Sequence, residues 1–257
     1  MYLGLENGVA LVTAASRGIG RATAERLAAE GMTVVAAARS VGGAPEAVGT
    51  GRIVPYTHDL GDAAATADLV EKVVAEFGAL DVLVLNTPGP RILPALDTGW
   101  DDWTTAHDLL LRPVVQLATA AGRRMRDKGS GSIILLSSTW VRQPASGGVL
   151  SASYRSAASA FVKTIATELA PSGVRVNQVM PGATGTDRMQ GIVEMKSKNN
   201  GTTVEEEIDK VVADIPVRRW GEASEIADVV AFLASPRASF ITGTALPVDG
   251  GAIRAGH

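Results

Sequence analysis

A short apolar strand that leads through a glycine-rich turn into a helical pattern constrains this chain more than any other feature. Residues 9–13 read Val-Ala-Leu-Val-Thr, glycines follow at 18 and 20, and apolar residues recur at helical spacing over residues 19–30. Glycines at such a turn let the backbone approach a pyrophosphate, and the helix N-terminus supplies amide N–H groups and a positive dipole end. The sequence therefore predicts a βαβ unit with a phosphate site at this turn.

The same alternation continues along the chain. Further strands are predicted at residues 33–38, 52–57, 81–86, 132–137 and 174–179, and helical patterns at residues 62–77, about 100–127 and 151–170. Continuous apolar runs are typical of strands buried on both faces, and their alternation with helices implies parallel crossovers. Pro113 is expected to bend or interrupt the long helix. We predict one α/β domain over residues 1–257, built on a doubly wound, Rossmann-like parallel sheet.

Two segments interrupt this pattern. Residues 40–51 are rich in glycine and alanine and leave little room for a full crossover helix. Residues 183–216 form a long polar excursion that contains one short acidic helix near residues 204–212. Because insertions of that length in a compact domain usually serve as lids or binding loops, we predict a short helical lid at residues 183–216.

Composition excludes several classes of function. A formal net charge of −3 gives no basic field, so neither a nucleic acid nor a membrane surface is an expected partner. The absence of cysteine excludes disulfides, thiolate metal sites and cysteine nucleophiles. The three histidines, His58, His107 and His257, lack metal-ligand spacing, so no metal is expected. No apolar run reaches the ~18 residues of a membrane span, and we expect a cytoplasmic protein.

Motifs over nearly the whole chain, from Gly8 to Gly251, resemble the short-chain dehydrogenase/reductase family. The turn from Thr13 to Gly20 matches the family's Thr-Gly-x-x-x-Gly-x-Gly except that Ala14 replaces the first glycine, and residues 86–89 stand where the family has Asn-Asn-Ala-Gly. The resemblance implies a dinucleotide cofactor, a small-molecule substrate and a dimer or tetramer. The cofactor-binding residues that it implies are Thr13, Ser16, Arg17, Gly18, Ile19, Gly20, Arg39, Asp59, Asn86, Gly89, Arg155, Pro181, Gly182 and Thr186.

The end of the second strand bears on the choice of cofactor. An acidic residue there would accept hydrogen bonds from the ribose hydroxyls of NAD and repel a 2′-phosphate, but this chain has Ala38 followed by Arg39. Arg17 lies in the phosphate loop. Two guanidinium groups suit a phosphate dianion through charge-assisted hydrogen bonds, so we expect NADP(H) in preference to NAD(H). The alternative is that both arginines are ordinary solvated charges.

The catalytic helix departs from the family pattern of a serine followed, thirteen residues later, by Tyr-x-x-x-Lys. Ser138 is in place, but Ser151 stands at the tyrosine position, Arg155 at the lysine position and Leu110 in the register of the family's asparagine. A serine is shorter than tyrosine and much less acidic than a phenol of pKa ~10, and arginine keeps its proton. Ser138, Ser151 and Arg155 are the predicted catalytic residues. Ser137 is an alternative to Ser138, and helix capping is an alternative role for Ser151.

Other side chains could contribute to the site. Tyr154 and His107 could reach its edge, although packing or an interface is the favoured role for Tyr154, and a solvated or interface position is favoured for His107. Arg91, Arg142 and Arg188 lie on loops that should open at the carboxyl ends of the strands. If these arginines converge, they would favour a carboxylate or a phosphate on the substrate, and scattered solvated arginines are the alternative.

Three functions fit these observations. The first is an atypical NADP(H)-dependent reductase or dehydrogenase that works without the usual catalytic tyrosine. The second is a non-redox isomerase, lyase or cyclase on the same scaffold. The third is a catalytically inactive subunit that pairs with an active relative, in place of a homo-oligomer. The sequence leaves the substrate and the direction of reaction open.

Overall fold

The computed structural model describes residues 2–254, and Met1 and residues 255–257, which include His257, lie outside the described part. Strands and helices alternate along it. The strands are β1 (Val9–Thr13), β2 (Thr33–Ala38), β3 (Glu46–Val48), β4 (Gly51–Thr57), β5 (Val82–Leu85), β6 (Gly131–Leu136), β7 (Val174–Pro181) and β8 (Ala245–Val248). The helices are α1 (Gly18–Ala29), α2 (Ala63–Phe77), α3 (Trp100–Leu110), α4 (Arg112–Lys128), α5 (Val149–Leu169), α6 (Asp187–Asn200), α7 (Val204–Ala213) and α8 (Ala223–Ala234).

The strands form one sheet in the order β3-β4-β2-β1-β5-β6-β7-β8. Every neighbouring pair is parallel except β3 and β4. The order reverses between β1 and β5, so the chain winds outward from this point in both directions, and the crevice at the carboxyl ends of these two strands is where ligands bind in such sheets. The predicted doubly wound α/β fold is confirmed.

Helices cover both faces of the sheet, and each face has its own apolar core. On one face, residues such as Leu27 of α1 and Val230 of α8 pack on β1, β2 and β6. On the other face, residues such as Leu69, Leu117 and Val162 of α2, α4 and α5 pack on the opposite sides of the same strands. Burial on both sides explains why the central strands read as continuous apolar runs.

Two local predictions concern interruptions of the pattern. The long helix is broken at Leu111, and Pro113 lies in the first turn of α4, where its missing N–H costs no helical hydrogen bond. Residues 40–51 contain no helix, as expected, but they do contain β3, which pairs antiparallel with β4 across a tight turn at Gly49. The sequence gives no sign of this three-residue strand.

The region predicted as a lid contains two helices rather than one. The predicted acidic helix is α7, but residues 187–200, expected to be polar loop, form α6. Thr186 caps the N-terminus of α6, and Gly201 ends it in a left-handed conformation at φ 64°. Buried Glu207 joins the two helices because it accepts hydrogen bonds from Lys210, and from Asn200 and Thr202 at 3.1 and 2.8 Å. These donors, Lys210 first, lower the pKa of Glu207 to about 2.

Candidate active site

The phosphate loop is tied to the turn that follows β5. The hydroxyl of Thr13 donates to the backbone oxygen of Asn86 at 2.6 Å and accepts from its backbone N–H at 3.0 Å. The side-chain amide of Asn86 then donates to the backbone oxygen of Ala14 at 3.2 Å. Thr13 and Asn86 therefore hold the two sides of the switch-point crevice at a fixed separation.

Close packing shapes the loop itself. A Cβ atom on Gly20 would lie 2.4 Å from the backbone oxygen of Ala14, so this position requires glycine. Gly18 has φ +56°, and Ala14 has φ +48°. Ala14 thus keeps a left-handed conformation that favours glycine, at a steric cost of about 1–2 kcal/mol. The loop keeps the turn that a glycine would make, and the methyl group strains it.

The N-terminus of α1 is suited to an anion. Arg17 precedes this helix and contributes no side-chain cap, so the amides that follow, at Gly18, Ile19 and Gly20, are available to a ligand. The positive end of the helix dipole points the same way. These residues and exposed Ser16 fit the pyrophosphate of a dinucleotide.

The proposed lid begins against this loop. Arg17 Nη1 lies 3.7 Å from Asp187 Oδ2, and a Cβ atom on Gly18 would lie 3.4 Å from Thr186 Cγ2. Thr186 itself accepts a hydrogen bond from Met189 N at 3.4 Å, which starts α6 at this point. The phosphate loop and the start of the lid are therefore in direct contact.

The adenosine end of the crevice contains both signs of charge. Exposed Arg39 follows β2, and a cleft beside it is lined by Ser16, Ser40, Arg21 and Glu46. Glu46 is paired with Arg21 at 2.7 Å, which neutralises it. Asp59 is exposed, and its Oδ1 accepts from Gly61 N at 2.9 Å.

Pro181 and Gly182 lie where β7 ends, and the geometry gives Gly182 a packing role. Its N–H donates to Val248 O at 3.0 Å. A Cβ atom on Gly182 would lie 2.8 Å from the Cα atom of Asp249, so only glycine lets the two chain segments approach this closely.

Ser138, Ser151 and Arg155 belong to the next two elements of the site. Ser138 follows β6, and its Oγ accepts from Trp140 N at 3.2 Å. On α5, Arg155 Nε donates to Ser151 Oγ at 3.2 Å, and Arg155 Nη1 donates to the oxygen of Leu136 at 3.0 Å. Each hydroxyl thus accepts one hydrogen bond and keeps its own proton for donation. Because α5 begins at Val149 with Gly148 at its N-cap, Ser151 does not cap the helix.

Arg155 stays charged near neutral pH although its surroundings disfavour the charge. Burial, with a smaller contribution from the charge of Arg188, lowers the pKa of Arg155 to about 10. The guanidinium therefore remains a cation that polarises the hydroxyl of Ser151.

Tyr154 and His107 form an aromatic cluster to one side. The Tyr154 ring makes edge contacts with Trp103 and His107, at centroid distances of 5.8 and 5.9 Å. His107 Nδ1 also lies 2.9 Å from Asp108 Oδ1, and Leu110 is buried. These contacts agree with the packing role favoured for Tyr154, and His107, expected to be solvated or at an interface, is partly exposed in the same cluster.

The three rim arginines point in different directions. Arg91 pairs with Asp102 at 2.8 Å, and Arg142 donates to the oxygen of Ala245 at 3.3 Å, both in exposed positions. Arg188 instead lies over the loop after β5: the residue is exposed overall, and its guanidinium donates to the oxygens of Gly89 and Pro90. The three side chains do not converge, and one of them enters the crevice.

Three buried polar side chains lie at this edge of the sheet. The sequence analysis did not single out Thr87 or Gln178, and it considered Ser137 only as an alternative to Ser138. Thr87, Ser137 and Gln178 are buried, and Thr87 Oγ1, Ser137 Oγ and both amide atoms of Gln178 have no hydrogen-bond partner within residues 2–254. By strand alternation from Leu85, Leu135 and Val176, they face the side of the sheet that α5 covers. The sequence signal that could have indicated these side chains is Gln178, a polar residue that precedes the apolar last residues of β7.

Comparisons with known proteins agree with this geometry. The sequence model of the family described as enoyl-(acyl carrier protein) reductase matches residues 13–252. The chain belongs to the short-chain dehydrogenase/reductase family. It is 36% identical to the short-chain reductase protein NovJ of Streptomyces niveus, over 96% of this chain and 94% of that one. It is 35% identical to the 3-oxoacyl-[acyl-carrier-protein] reductase FabG of Escherichia coli, over 97% and 98% of the two chains.

Solved structures of short-chain enzymes share the fold. L-sorbose reductase from Gluconobacter frateurii, in complex with NADPH and L-sorbose, superposes with a TM-score of 0.91 at 28% identity, over 99% of this chain and all of that one. An NAD⁺-bound xylitol dehydrogenase gives a TM-score of 0.86 at 27% identity, over 96% and 100%. The family thus includes oxidoreductases that bind either dinucleotide.

Two absences among residues 2–254 bear on other classes of site. No helix within residues 2–254 has the length and apolarity to cross a membrane. In the same residues, no three His, Cys, Asp or Glu side chains are grouped so that they could hold a metal ion.

Proposed function

We propose that the protein is an NADP(H)-dependent oxidoreductase that reduces a carbonyl group, or oxidises the corresponding alcohol, without a catalytic tyrosine. When bound, the nicotinamide supplies or accepts the hydride. The observation that carries the proposal is the 3.2 Å hydrogen bond from Arg155 to Ser151, at the two helix positions where the family has lysine and tyrosine. This hydrogen bond holds the polarised hydroxyl of Ser151 on the side of the crevice where Ser138 follows β6.

In this proposal the two hydroxyls stabilise negative charge on the substrate oxygen. Ser138 is held by the N–H of Trp140 and Ser151 by Arg155, so each O–H is oriented and free to donate. Two such donors, preorganised beside a cation, form an oxyanion site, and one donor of this kind is typically worth about 10²–10³-fold in rate. Arg155 strengthens the donation from Ser151 because it is charged.

The proton takes a different route from that in relatives with a tyrosine. In the reductive direction, hydride adds to the carbonyl carbon, the C=O π pair moves to oxygen, and water protonates the resulting alkoxide to give the alcohol. The loss of a general acid lowers the rate by about 10²–10⁴-fold. Substrates with activated carbonyl groups are therefore the expected class.

A preference for NADP(H) is supported by charge at the adenosine end. Arg17 and Arg39 are exposed beside the cleft that holds Ser16, and the one acidic group lining that cleft, Glu46, is paired with Arg21. A 2′-phosphate bound in this cleft would therefore meet two cations, and the one carboxylate that lines the cleft is already paired. The cofactor-binding residues inferred from the sequence, including Asp59, Asn86, Gly89 and Pro181, remain part of this proposal.

The proposed function includes two further features, a lid over the substrate and an assembly of several subunits. Residues 183–216, with α6 and α7, would cover the substrate, and residues 1–257 would act as one domain. A homodimer or homotetramer is the proposed assembly, supported by fully exposed Phe240 and by exposed Leu246 on the edge strand β8. A hetero-oligomer with an active relative is the alternative.

Binding of nucleotide tests the proposal first. We would titrate the protein with NADPH and with NADH, following the quenching of tryptophan emission and the rise of nicotinamide emission. Tight NADPH binding with much weaker NADH binding, followed by NADPH oxidation with activated carbonyl compounds, is the expected result. Binding of neither nucleotide would overturn the oxidoreductase and leave a non-redox enzyme or an inactive subunit.

A further inference from the structure

Two arginines, partly buried Arg155 and exposed Arg188, lie beside the carboxyl ends of adjacent strands. Arg188, in the first turn of α6, donates to the oxygens of Gly89 at 3.2 Å and Pro90 at 3.0 Å, just after β5. Arg155 donates to the oxygen of Leu136 at the end of β6. Because β5 and β6 are adjacent and parallel, the two guanidinium groups lie at neighbouring strand ends.

Gly89 makes room for Arg188. A Cβ atom on Gly89 would lie 2.0 Å from Arg188 Cζ, so the guanidinium rests directly on the glycine backbone. Burial lowers the pKa of Arg188, and the charge of Arg188 contributes to lowering the pKa of Arg155. The positive charges of Arg155 and Arg188 therefore repel each other at the crevice.

Neither cation has an acidic partner within the described residues 2–254. Elsewhere arginines pair readily, as Arg124 does with Glu71 and Arg219 with Glu225. Asp187, the neighbour of Arg188, pairs with Arg17 on the outside. A partly buried cation such as Arg155, with the charge of Arg188 nearby and no counter-charge, is unfavourable, and a bound anion would relieve it.

A third arginine, Arg175, is partly buried and has a purely structural role. Arg175 donates to the oxygens of Leu233, Ala234 and Ser235, at 2.5, 2.9 and 3.0 Å, where α8 ends and its dipole is negative. Arg155 makes two hydrogen bonds, and none of them involves Nη2 within the described chain. The guanidinium of Arg155 therefore has N–H groups that can still donate hydrogen bonds to a planar oxyanion.

Two buried hydroxyls at the same strand ends indicate a polar ligand independently. Thr87 lies two residues beyond Leu85 of β5, and Ser137 lies two residues beyond Leu135 of β6, the residue that pairs with Leu85. Their oxygens are buried and have no partner within residues 2–254. Groups of this kind normally bind water or a ligand.

We propose that Arg155 and Arg188 together bind a carboxylate group of the substrate, so that oxo acids or hydroxy acids are preferred over neutral carbonyl compounds or alcohols. Arg188 exchanges its contacts with Gly89 and Pro90 for the carboxylate when the substrate enters. The choice of substrate rests on the proposed function, whereas the binding of the anion does not. The pyrophosphate of a dinucleotide is the other anion of suitable chemistry, and the experiment separates the two.

The test is a calorimetric titration with oxamate, a planar carboxylate that cannot be reduced, and with oxamide as its neutral counterpart. Titrations are made with and without saturating NADPH. We expect oxamate to bind in both conditions and oxamide in neither. Oxamate that binds only without NADPH would assign the arginines to the cofactor, and absence of binding in both conditions would overturn the proposal.

Variants assign the binding to these residues. Arg188→Gln should weaken oxamate binding by about 10- to 100-fold, the usual effect of losing a charged hydrogen bond. Arg91→Gln is the matched control, because Arg91 is a rim arginine already paired with Asp102. Equal affinity in wild type and folded Arg188→Gln, verified by thermal melting, would overturn the assignment. Oxamate binding without any NADPH binding would leave the anion site intact and reject the oxidoreductase.

Discussion

Arg155 Nε donates to Ser151 Oγ at 3.2 Å, one turn earlier on the same helix, so the cation and the hydroxyl act as one unit. The same guanidinium is anchored to the sheet through the oxygen of Leu136. A side chain held at two points loses little entropy when a substrate binds, which is the property that a preorganised site requires.

Replacement of Ser151 by alanine tests this unit. Ser151→Ala removes one of the two proposed donors to the substrate oxygen, and we expect kcat to fall by about 10²-fold. The measurement is the initial rate of NADPH oxidation with the best carbonyl substrate. Ser153→Ala is the control, because Ser153 is exposed on the same helix. Equal losses in both variants, or none in Ser151→Ala, would remove Ser151 from the mechanism.

Arg39 should determine the choice of dinucleotide. Arg39→Ala removes a proposed partner of the 2′-phosphate, so NADPH affinity should fall by about 10-fold or more while NADH affinity stays the same. Fluorescence titration measures both. Arg52→Ala changes an exposed arginine at the opposite end of the neighbouring strand β4, and it should change neither affinity. A parallel loss for NADH would show that Arg39 does not read the 2′-phosphate.

Relief of backbone strain should make Ala14→Gly more stable than wild type. Glycine removes a left-handed penalty of about 1–2 kcal/mol, against about 0.4–1 kcal/mol of added entropy in the unfolded chain. A net gain of about 0.5–1 kcal/mol would raise Tm by a few degrees. Ala15→Gly is the control: Ala15 is buried outside the left-handed region, so this variant should lose stability.

Glu207 should hold the proposed lid together in a pH-dependent way. Its folded pKa of about 2 is below the ordinary value near 4.3, so its contribution is present above that value and is lost as pH falls toward 2. Glu207→Gln should therefore increase amide exchange in residues 187–213 at pH 7. Exposed Glu205 supplies the control variant Glu205→Gln. An exchange difference that does not shrink below about pH 4.5 would contradict this role for the carboxylate.

The strands and crossovers follow from local patterns in the sequence, but α6 does not. Only Val193 of this helix is buried, so it carries no apolar stripe that sequence reasoning could recognise. Its stability comes from the cap at Thr186, the left-handed end at Gly201 and the contact of Asn200 with Glu207. The last of these joins residues on two helices and is a property of the folded lid. β3 is similar, because its three residues, two of them exposed, become a strand only by pairing with β4.

In the candidate site, too, some features follow from the sequence and others depend on the folded structure. The positions of Ser138, Ser151 and Arg155 follow from the motif spacing, but their hydrogen bonds depend on how α5 packs on β6. Arg91 and Arg188 look equivalent in the sequence. They differ because Asp102 draws one outward, whereas Gly89 leaves space for the other.

The contact between Arg17 and Asp187 has a kinetic consequence. Both side chains are more than three-quarters exposed and their charged atoms lie 3.7 Å apart, so the pair contributes little and exchanges partners readily. A phosphate arriving at Arg17 would release Asp187 and, with it, the first turn of α6. The arrival of the dinucleotide would then loosen the first turn of the proposed lid, so the mobility of residues 187–200 would depend on whether the phosphate site is filled.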